Sequence, residues 1–262
     1  MTQGYYPKLL ALDFDGVICD GLQEYFQSSK RTYLKIWQTN SPESLEQYAA
    51  SFYRLRPVVT IGWEMPVLLR ALAINITPER ILNDWSTVTE EIVSGEHLDK
   101  HQMMHQLDHT RDQWIKTDLS GWLSLHRFYP GMIKRLNQVI NSSTDLVIIT
   151  TKEGRFVHQL LQQSGINFPN HLIFGKEVKR SKWETLGNLI QQYNLDAKNV
   201  WFVEDLLKTL HSVENQKHLQ DISLFLADWG YNTQANRDSI QENSRIHLLS
   251  LKCFAQDFSA WR

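Results

Sequence analysis

The chain has 262 residues, and 27 Lys and Arg against 29 Asp and Glu give a formal net charge of -2. This balance does not indicate a nucleic-acid or polyanion-binding protein. Two distant cysteines, Cys19 and Cys253, argue against a disulfide framework and favour a reducing cytoplasm. No run is apolar for long enough to predict a membrane span, and the N-terminus is too acidic for a signal peptide.

Five short apolar runs predict strands that are buried on both faces of a sheet, because they lack polar alternation. The runs are KLLALDF (8–14), DLVIITT (145–151), HLIFG (171–175), NVWFVED (199–205) and ISLFLAD (222–228). Helical patterns at 131–140, 154–165 and 181–193 separate the later runs, and Ser181 is a candidate N-cap. The alternation predicts an α/β fold with a Rossmann-like parallel sheet and helices on both faces.

Residues 20–127 predict an all-helical domain inserted after the first strand. Ser41-Pro42 and Thr77-Pro78 each place an N-cap residue before a proline at the first helical position. We therefore expect an α/β core domain of residues 1–19 and 128–262, and a helical cap domain of residues 20–127.

Reactive side chains stand where the predicted strands end. They are Asp13 and Asp15 after the first strand, Thr150, Thr151 and Lys152 after the second, Lys182 at the helix after the third, and Glu204 and Asp205 after the fourth. Because ligands of open parallel sheets bind beyond the carboxyl ends of the strands, these side chains are expected to converge. Several carboxylates repel one another unless a cation lies among them, and oxygen ligands of this kind suit Mg²⁺.

The same residue types fit phosphoryl transfer. An aspartate can attack phosphorus as a covalent nucleophile, and a second carboxylate two residues later can protonate the leaving oxygen and then activate water. A hydroxyl and an ammonium can stabilise the non-bridging oxygens. Each group alone is also compatible with a structural role, such as an Asp–Gly turn or a helix cap, so the interpretation rests on the ordered set.

The order DFDGV, an apolar strand with two threonines, a lysine at a helix start and VWFVED resembles the haloacid dehalogenase superfamily, in its phosphatase branch. The resemblance implies roles for six residues: Asp13 as nucleophile, Asp15 as general acid and base, Thr150 and Lys182 as phosphate-binding groups, and Asp205 with Glu204 as metal ligands. It also implies that the Asp13 side chain and the Asp15 backbone carbonyl bind Mg²⁺.

Further segments resemble the phosphoglycolate phosphatase-like group of that superfamily. They are FYPGMIKRL, ITTKEGRFVHQLLQQSGI and ADWGYNT. By its position the insert resembles the C1 cap of the superfamily, although it is larger than the common small helical cap. The chain departs from the pattern at Thr209 and Leu210, where relatives often carry a second acid, so Glu204 is the candidate for that charge. Lys176 and Lys179 are alternatives to Lys182.

Other residues have open interpretations. In the segment 53–66, Arg54, Arg56, Trp63 and Glu64 are candidate substrate contacts, as is Thr151 in the core; the alternative is a connecting loop with surface arginines. His97, His101, His105 and His109 recur at every fourth residue, which predicts either a metal-binding or pH-sensitive row on one helix or a solvated stripe. Lys152, Arg155 and Asp20 are expected to be structural or supporting residues.

The sequence therefore predicts a Mg²⁺-dependent phosphatase that hydrolyses a small phosphorylated metabolite through an aspartyl-phosphate, without a nucleic-acid or membrane partner. A phosphomutase would share the covalent step. A phosphonatase would need a cap lysine, for which Lys30 and Lys35 are the candidates. Asp15 argues against a haloalkanoic dehalogenase, and the full set of reactive residues argues against a catalytically silent binding protein.

Overall fold

The computed structural model of the protein describes residues 6–37 and 42–261. The chain divides into an α/β unit, Met1–Asp20 with Arg127–Arg262, and a helical unit, Gly21–His126. Among the helices of the described ranges, none combines the length and the apolar character that crossing a membrane requires.

The strands of the described residues all lie in the α/β unit. They are β1 (Leu9–Leu12), β2 (Cys19–Asp20), β3 (Arg127–Phe128), β4 (Asp145–Ile149), β5 (Ile173–Phe174), β6 (Val200–Glu204), β7 (Ser223–Ala227) and β8 (Ile246–Leu249). Six of them form a parallel sheet in the order β5-β4-β1-β6-β7-β8. The central strand β1 places Leu12 opposite both Ile148 and Val203, so the carboxyl ends of three strands meet at one edge.

The predicted Rossmann-like α/β fold is confirmed, and the sheet has one strand more than the sequence indicated. Each of the five apolar runs contains a strand that is shorter than the run. β8 was missed because it is an edge strand with His247 partly exposed and Leu248 exposed, so it lacks the continuous burial of β1, β6 and β7.

The helical unit contains seven α-helices among its described residues. They are α1 (Leu22–Ile36), α2 (Ala49–Leu55), α3 (Glu64–Ala73), α4 (Pro78–Asn83), α5 (Trp85–Gly95), α6 (Lys100–Thr117) and α7 (Leu119–Leu123). The predicted cap of α4 is confirmed, because the Thr77 side chain accepts a hydrogen bond from Arg80 N. The other predicted cap, Ser41, lies outside the described residues.

A buried ion pair links distant parts of the helical unit. The carboxylate of Glu24, which is fully buried, accepts hydrogen bonds from Arg111 Nε at 2.8 Å, Trp122 Nε1 at 3.1 Å and Ser28 Oγ at 2.5 Å. Burial alone would lower the pKa of Arg111, but the charge of Glu24 raises it above its ordinary value. A buried charge is tolerated when it is paired and hydrogen-bonded in this way.

Helices cover both faces of the sheet. They are α8 (Met132–Ile140), α9 (Gly154–Gln163), α10 (Lys182–Gln192), α11 (Leu207–Glu214), α12 (Gln234–Ser239) and α13 (Leu251–Phe254). Along β6, Phe202 belongs to the same buried cluster as Leu186 of α10 and Leu210 of α11. The preceding residue, Trp201, points to the opposite face of the sheet, and its ring centroid lies 5.6 Å from that of Trp261. This alternation explains why β6 is apolar throughout.

Candidate active site

The DFDG segment forms a tight turn at the end of β1. Asp13 N donates to Val203 O at 2.9 Å, which extends the pairing of β1 with β6 by one residue, and Gly16 N donates to Cys19 O at 2.8 Å. Gly16 has φ of +87°, and a Cβ at this position would overlap Asp205 Oδ2. Glycine is therefore required both by the backbone conformation and by the close approach of Asp205.

Three buried carboxylates meet beyond the ends of β1 and β6. Side-chain oxygens of Asp13, Glu204 and Asp205 all lie within 4.8 Å of one another. Lys182, the first residue of α10, places its Nζ 2.7 Å from Asp13 Oδ1 and 2.6 Å from Glu204 Oε2. A capping box fixes the start of this helix, since Ser181 and Glu184 exchange side-chain and backbone hydrogen bonds.

The pKa values of the cluster reflect burial first and the crowding of like charges second. Burial, and then the charge of Glu204, raises the pKa of Asp13 to about 7, although Lys182 opposes the shift. Burial and the charges of Glu204 and Asp13 also hold the pKa of Asp205 well above its ordinary value. Burial alone would lower the pKa of Lys182, but the charges of Asp13 and Glu204 raise it. Protons should therefore compete with a cation for Asp13 and Asp205.

The segment after β7 holds Asp205 in place. Tyr231 N donates to Asp205 Oδ2 at 2.8 Å, and Asn232 Nδ2 donates to the Asp205 carbonyl at 3.1 Å. A Cβ at Gly230 would overlap the side chain of Asp205. The side chain of Tyr231 in turn donates to Asp20 Oδ1 at 2.9 Å, so one short segment ties Asp205 to the chain after the DFDG turn.

Thr150 and Lys152 lie in the turn that follows β4. Thr150 N donates to Phe174 O at 2.9 Å, and Thr150 Oγ1 accepts a hydrogen bond from Lys152 N at 3.1 Å. Because the hydroxyl oxygen acts as an acceptor here, its O–H remains a donor for a substrate oxygen. Lys152 Nζ lies 3.3 Å from Asp15 Oδ1, within the same unit.

The remaining predicted core residues are more exposed. Thr151 is exposed beside Thr150, and Asp15 contacts Lys152 and is not part of the carboxylate cluster. Lys176 and Lys179, the alternatives to Lys182, both have exposed side chains.

The candidate substrate contacts of the helical unit already make contacts within that unit. Arg56 is buried, donates to Val59 O at 2.9 Å and lies over the Tyr25 ring at 4.9 Å, whereas Arg54 is exposed. Glu64 accepts hydrogen bonds from Thr60 N at 2.8 Å and Trp85 Nε1 at 3.2 Å. Trp63 and Glu64 both line a cavity of about 350 Å³ inside the unit. Their role in substrate binding stays a prediction.

The candidate lysines and the histidine row of the helical unit can both be located in the structure. Lys30 forms an ion pair with Glu46, and Lys35 donates to Gln113 Oε1 at 3.1 Å. The predicted single helical row of four histidines is wrong at one end. His97 precedes α6 with φ of +55°, whereas His101, His105 and His109 are exposed on α6, and the last two rings stack at 6.3 Å.

The sequence assigned no specific role to the residues that hold the site together. Tyr231 and Asn232 position Asp205, and Lys152 contacts Asp15, although Lys152 had been expected to be a structural or supporting residue. The signals were present in ADWGYNT and in the TTK triplet after the second strand. Their contacts cross long stretches of sequence, so residue spacing alone does not show them.

The residues present fit a Mg²⁺ ion. Asp13, Glu204 and Asp205 supply hard oxygen donors that are buried and close together. The pKa values of Asp13 and Asp205 are raised by burial and then by the charge of Glu204, and a cation would offset both effects. Mg²⁺ commonly binds one or two carboxylates together with water and substrate phosphate, so this donor set is sufficient.

Residues 69–217 match the family model of haloacid dehalogenase-like hydrolases, which is more than half of the chain. The chain belongs to this family. The resemblance found in the sequence is thereby confirmed. The matched part of this chain contains Thr150, Lys182, Glu204 and Asp205, whereas Asp13 and Asp15 precede it. A comparison with curated proteins gives no significant match.

Solved structures share the fold of this haloacid dehalogenase-like hydrolase. A predicted phosphatase from Clostridium acetobutylicum has a TM-score of 0.60 at 14% identity, with 95% of this chain and 97% of that chain covered. A haloacid dehalogenase-like family protein from Streptococcus pneumoniae has a TM-score of 0.56 at 14% identity, with 94% of each chain covered. A predicted phosphoglycolate phosphatase from Haemophilus somnus has a TM-score of 0.54 at 15% identity, with 88% of this chain and 89% of that chain covered.

Proposed function

We propose that this haloacid dehalogenase-like hydrolase is a Mg²⁺-dependent phosphatase that hydrolyses a small phosphorylated metabolite through an aspartyl-phosphate on Asp13. The observation that supports this most strongly is the meeting of Asp13 with Glu204, Asp205 and Lys182 at the end of the central strand. Asp15, two residues away, lies outside that cluster and contacts Lys152.

The proposed reaction has two balanced steps. A carboxylate oxygen of Asp13 attacks phosphorus, the bond from phosphorus to the leaving oxygen breaks, and Asp15 gives its proton to that oxygen. Water then attacks the phosphoryl group, Asp15 takes a proton from the water, and the bond between Asp13 and phosphorus breaks. Thr150 Oγ1–H and the Lys182 ammonium hold the non-bridging oxygens throughout.

The proposed metal ligands are the side chains of Asp13, Glu204 and Asp205, with the backbone carbonyl of Asp15 implied by the family resemblance. A bound Mg²⁺ would supply positive charge beside the transferred phosphoryl group. Before metal binds, the single charge of the Lys182 ammonium contacts two of the three acids, Asp13 and Glu204, and offsets only part of their charge.

The helical unit is proposed to act as a cap, because it is inserted between β2 and β3, shortly after the turn that carries Asp13. A cap of this kind excludes water and supplies substrate contacts. The solved structure named as a predicted phosphoglycolate phosphatase supports small phosphorylated carboxylic acids as the first substrates to test. Both cysteines are free, which supports the predicted cytoplasmic location.

Turnover of p-nitrophenyl phosphate and of a panel of phosphorylated metabolites tests the proposal. We expect phosphate release with Mg²⁺, its loss with a chelator, and a fall of at least about 10³-fold in Asp13→Asn. A hydroxylamine-sensitive phosphoenzyme should form in the wild type and be absent in Asp13→Asn. Asp221→Asn, at an exposed aspartate of the same unit, is the matched control. Wild-type protein that releases no phosphate from any substrate in the presence of Mg²⁺ would contradict the proposal.

A further inference from the structure

Lys152 forms an ion pair with the Asp15 side chain, although Asp15 Oδ1 accepts no hydrogen bond from the described residues. Its Nζ lies 3.3 Å from Asp15 Oδ1, and the two side chains are only 9% and 15% exposed. An ion pair at this degree of burial is shielded from solvent, unlike the exposed pairs that contribute little. Lys152 is thus placed to restrict the rotation of the Asp15 carboxylate.

The backbone of Lys152 is itself held from both sides. Lys152 N donates to Thr150 Oγ1 at 3.1 Å, and Lys152 O accepts a hydrogen bond from Lys176 N at 3.0 Å. A Cβ at Gly175 would lie 2.7 Å from Lys152 O and would overlap Gly154 N, so the loop after β5 packs directly against this turn. The backbone of Lys152 is therefore held in place, and its side-chain ammonium extends from there toward Asp15.

The two lysines of the site have separate partners. Lys182 contacts Asp13 and Glu204, whereas Lys152 contacts Asp15. The acid and base of a two-step reaction must be aligned with the leaving oxygen first and with water afterwards, and an error of about 1 Å can cost roughly 100-fold in rate. With Lys182 beside Asp13 and Lys152 beside Asp15, the nucleophile and the general acid would each be oriented by a separate lysine.

We propose that Lys152 is a positioning residue that holds Asp15 Oδ1, so that Asp15 Oδ2 carries the proton to the leaving oxygen. This inference rests on the proposed phosphatase function. In the first step the proton leaves Asp15 Oδ2 as the bond between phosphorus and the leaving oxygen breaks. Lys152 forms and breaks no bond to the substrate.

Aryl phosphates that differ only in the leaving group test this role. p-Nitrophenolate leaves readily without a proton, whereas phenolate depends on protonation. Lys152→Met should lower kcat for phenyl phosphate by roughly 10- to 100-fold, lower kcat for p-nitrophenyl phosphate by less than about threefold, and leave KM for both nearly unchanged. Lys152→Arg keeps the charge and should restore most of the rate on phenyl phosphate.

A double mutant separates action through Asp15 from direct contact with phosphate. In an Asp15→Asn background, Lys152→Met should change the rate on p-nitrophenyl phosphate by less than about twofold, because its target is already lost. Lys134→Met, at an exposed lysine of α8, is the matched control, and thermal midpoints are measured for every variant.

The outcomes are distinguishable. An equal loss on both aryl phosphates with a raised KM, additive with Asp15→Asn, would assign Lys152 to phosphate binding and overturn the positioning role. Unchanged kinetics of Lys152→Met on both substrates would overturn it as well, and the phosphatase function would stand. Wild-type protein without activity on any phosphate ester would overturn the proposed function and this inference with it.

Discussion

Replacing Asp205 by Asn should stabilise the metal-free protein while removing its response to Mg²⁺. Asp205 is almost fully buried and shares a cluster with Asp13 and Glu204 in which the oxygens lie within 4.8 Å. Two unit charges 4.8 Å apart interact with about 3.5 kcal/mol at an effective dielectric constant of about 20. Lys182 offsets part of this repulsion, so we expect a net gain of roughly 1–2 kcal/mol.

The Asn side chain can satisfy the same geometry. Its carbonyl oxygen can accept the hydrogen bond from Tyr231 N, which reaches Asp205 Oδ2 at 2.8 Å, and its amide can donate to a neighbouring carboxylate. The volume is nearly the same, so neither a cavity nor a steric clash is introduced. A change in stability therefore reports the charge.

The effect should depend on pH in a defined direction. The pKa values of Asp13 and Asp205 are raised above those of the unfolded chain, so the native state binds more protons than the unfolded state as these acids ionise. The stability that these groups contribute is complete at low pH and is lost as the pH rises through their native pKa values. The stabilisation by Asp205→Asn should thus be larger at about pH 8 than at about pH 5.

Thermal unfolding with a chelator measures this prediction. A gain of roughly 1–2 kcal/mol corresponds to a rise of about 2–8 °C in the midpoint for a unit of this size. Mg²⁺ at about 100 times its Kd should stabilise the wild type by about 2.7 kcal/mol and Asp205→Asn by much less. A variant that is less stable than the wild type at about pH 8 without metal, or that gains as much from Mg²⁺, would refute the reasoning.

Three further changes test the architecture of the site. Gly230→Ala would push a Cβ into Asp205 and should weaken Mg²⁺ binding measured by calorimetry, whereas Gly95→Ala, with open space around it, should not. Because burial and a neighbouring carboxylate raise the pKa of Asp13 to about 7, protons should compete with Mg²⁺, and the apparent affinity should fall by up to about tenfold per pH unit below that value. Ser181→Ala removes the cap of α10 and should lower the free energy of unfolding by about 1 kcal/mol. It should also lower kcat, because Lys182 is the first residue of this helix; an unchanged kcat would show that the start of the helix has no part in catalysis.

The convergence of the carboxylates could be predicted from the sequence because it follows from sheet topology. Asp13 and Asp205 directly follow the neighbouring parallel strands β1 and β6, so the strand order alone brings them close together. The contact of Lys152 with Asp15 depends on a turn held by another loop, which no spacing rule shows. The burial of Arg56 could not be predicted from the sequence either. Its guanidinium lies over the Tyr25 ring and donates to the Val59 carbonyl, and these contacts allow a charged side chain to be buried.

The charges of the site predict that the stability of the metal-free protein and Mg²⁺ binding oppose each other. When all four acids are ionised, the carboxylates of Asp13, Asp15, Glu204 and Asp205 outnumber the ammonium groups of Lys152 and Lys182 by two. One divalent cation would balance that excess, and burial makes each unbalanced charge costly because solvent cannot screen it. Substitutions that reduce the negative charge should therefore stabilise the metal-free protein in proportion to their loss of Mg²⁺ binding. Substitutions of equal size outside the cluster should show no such relation.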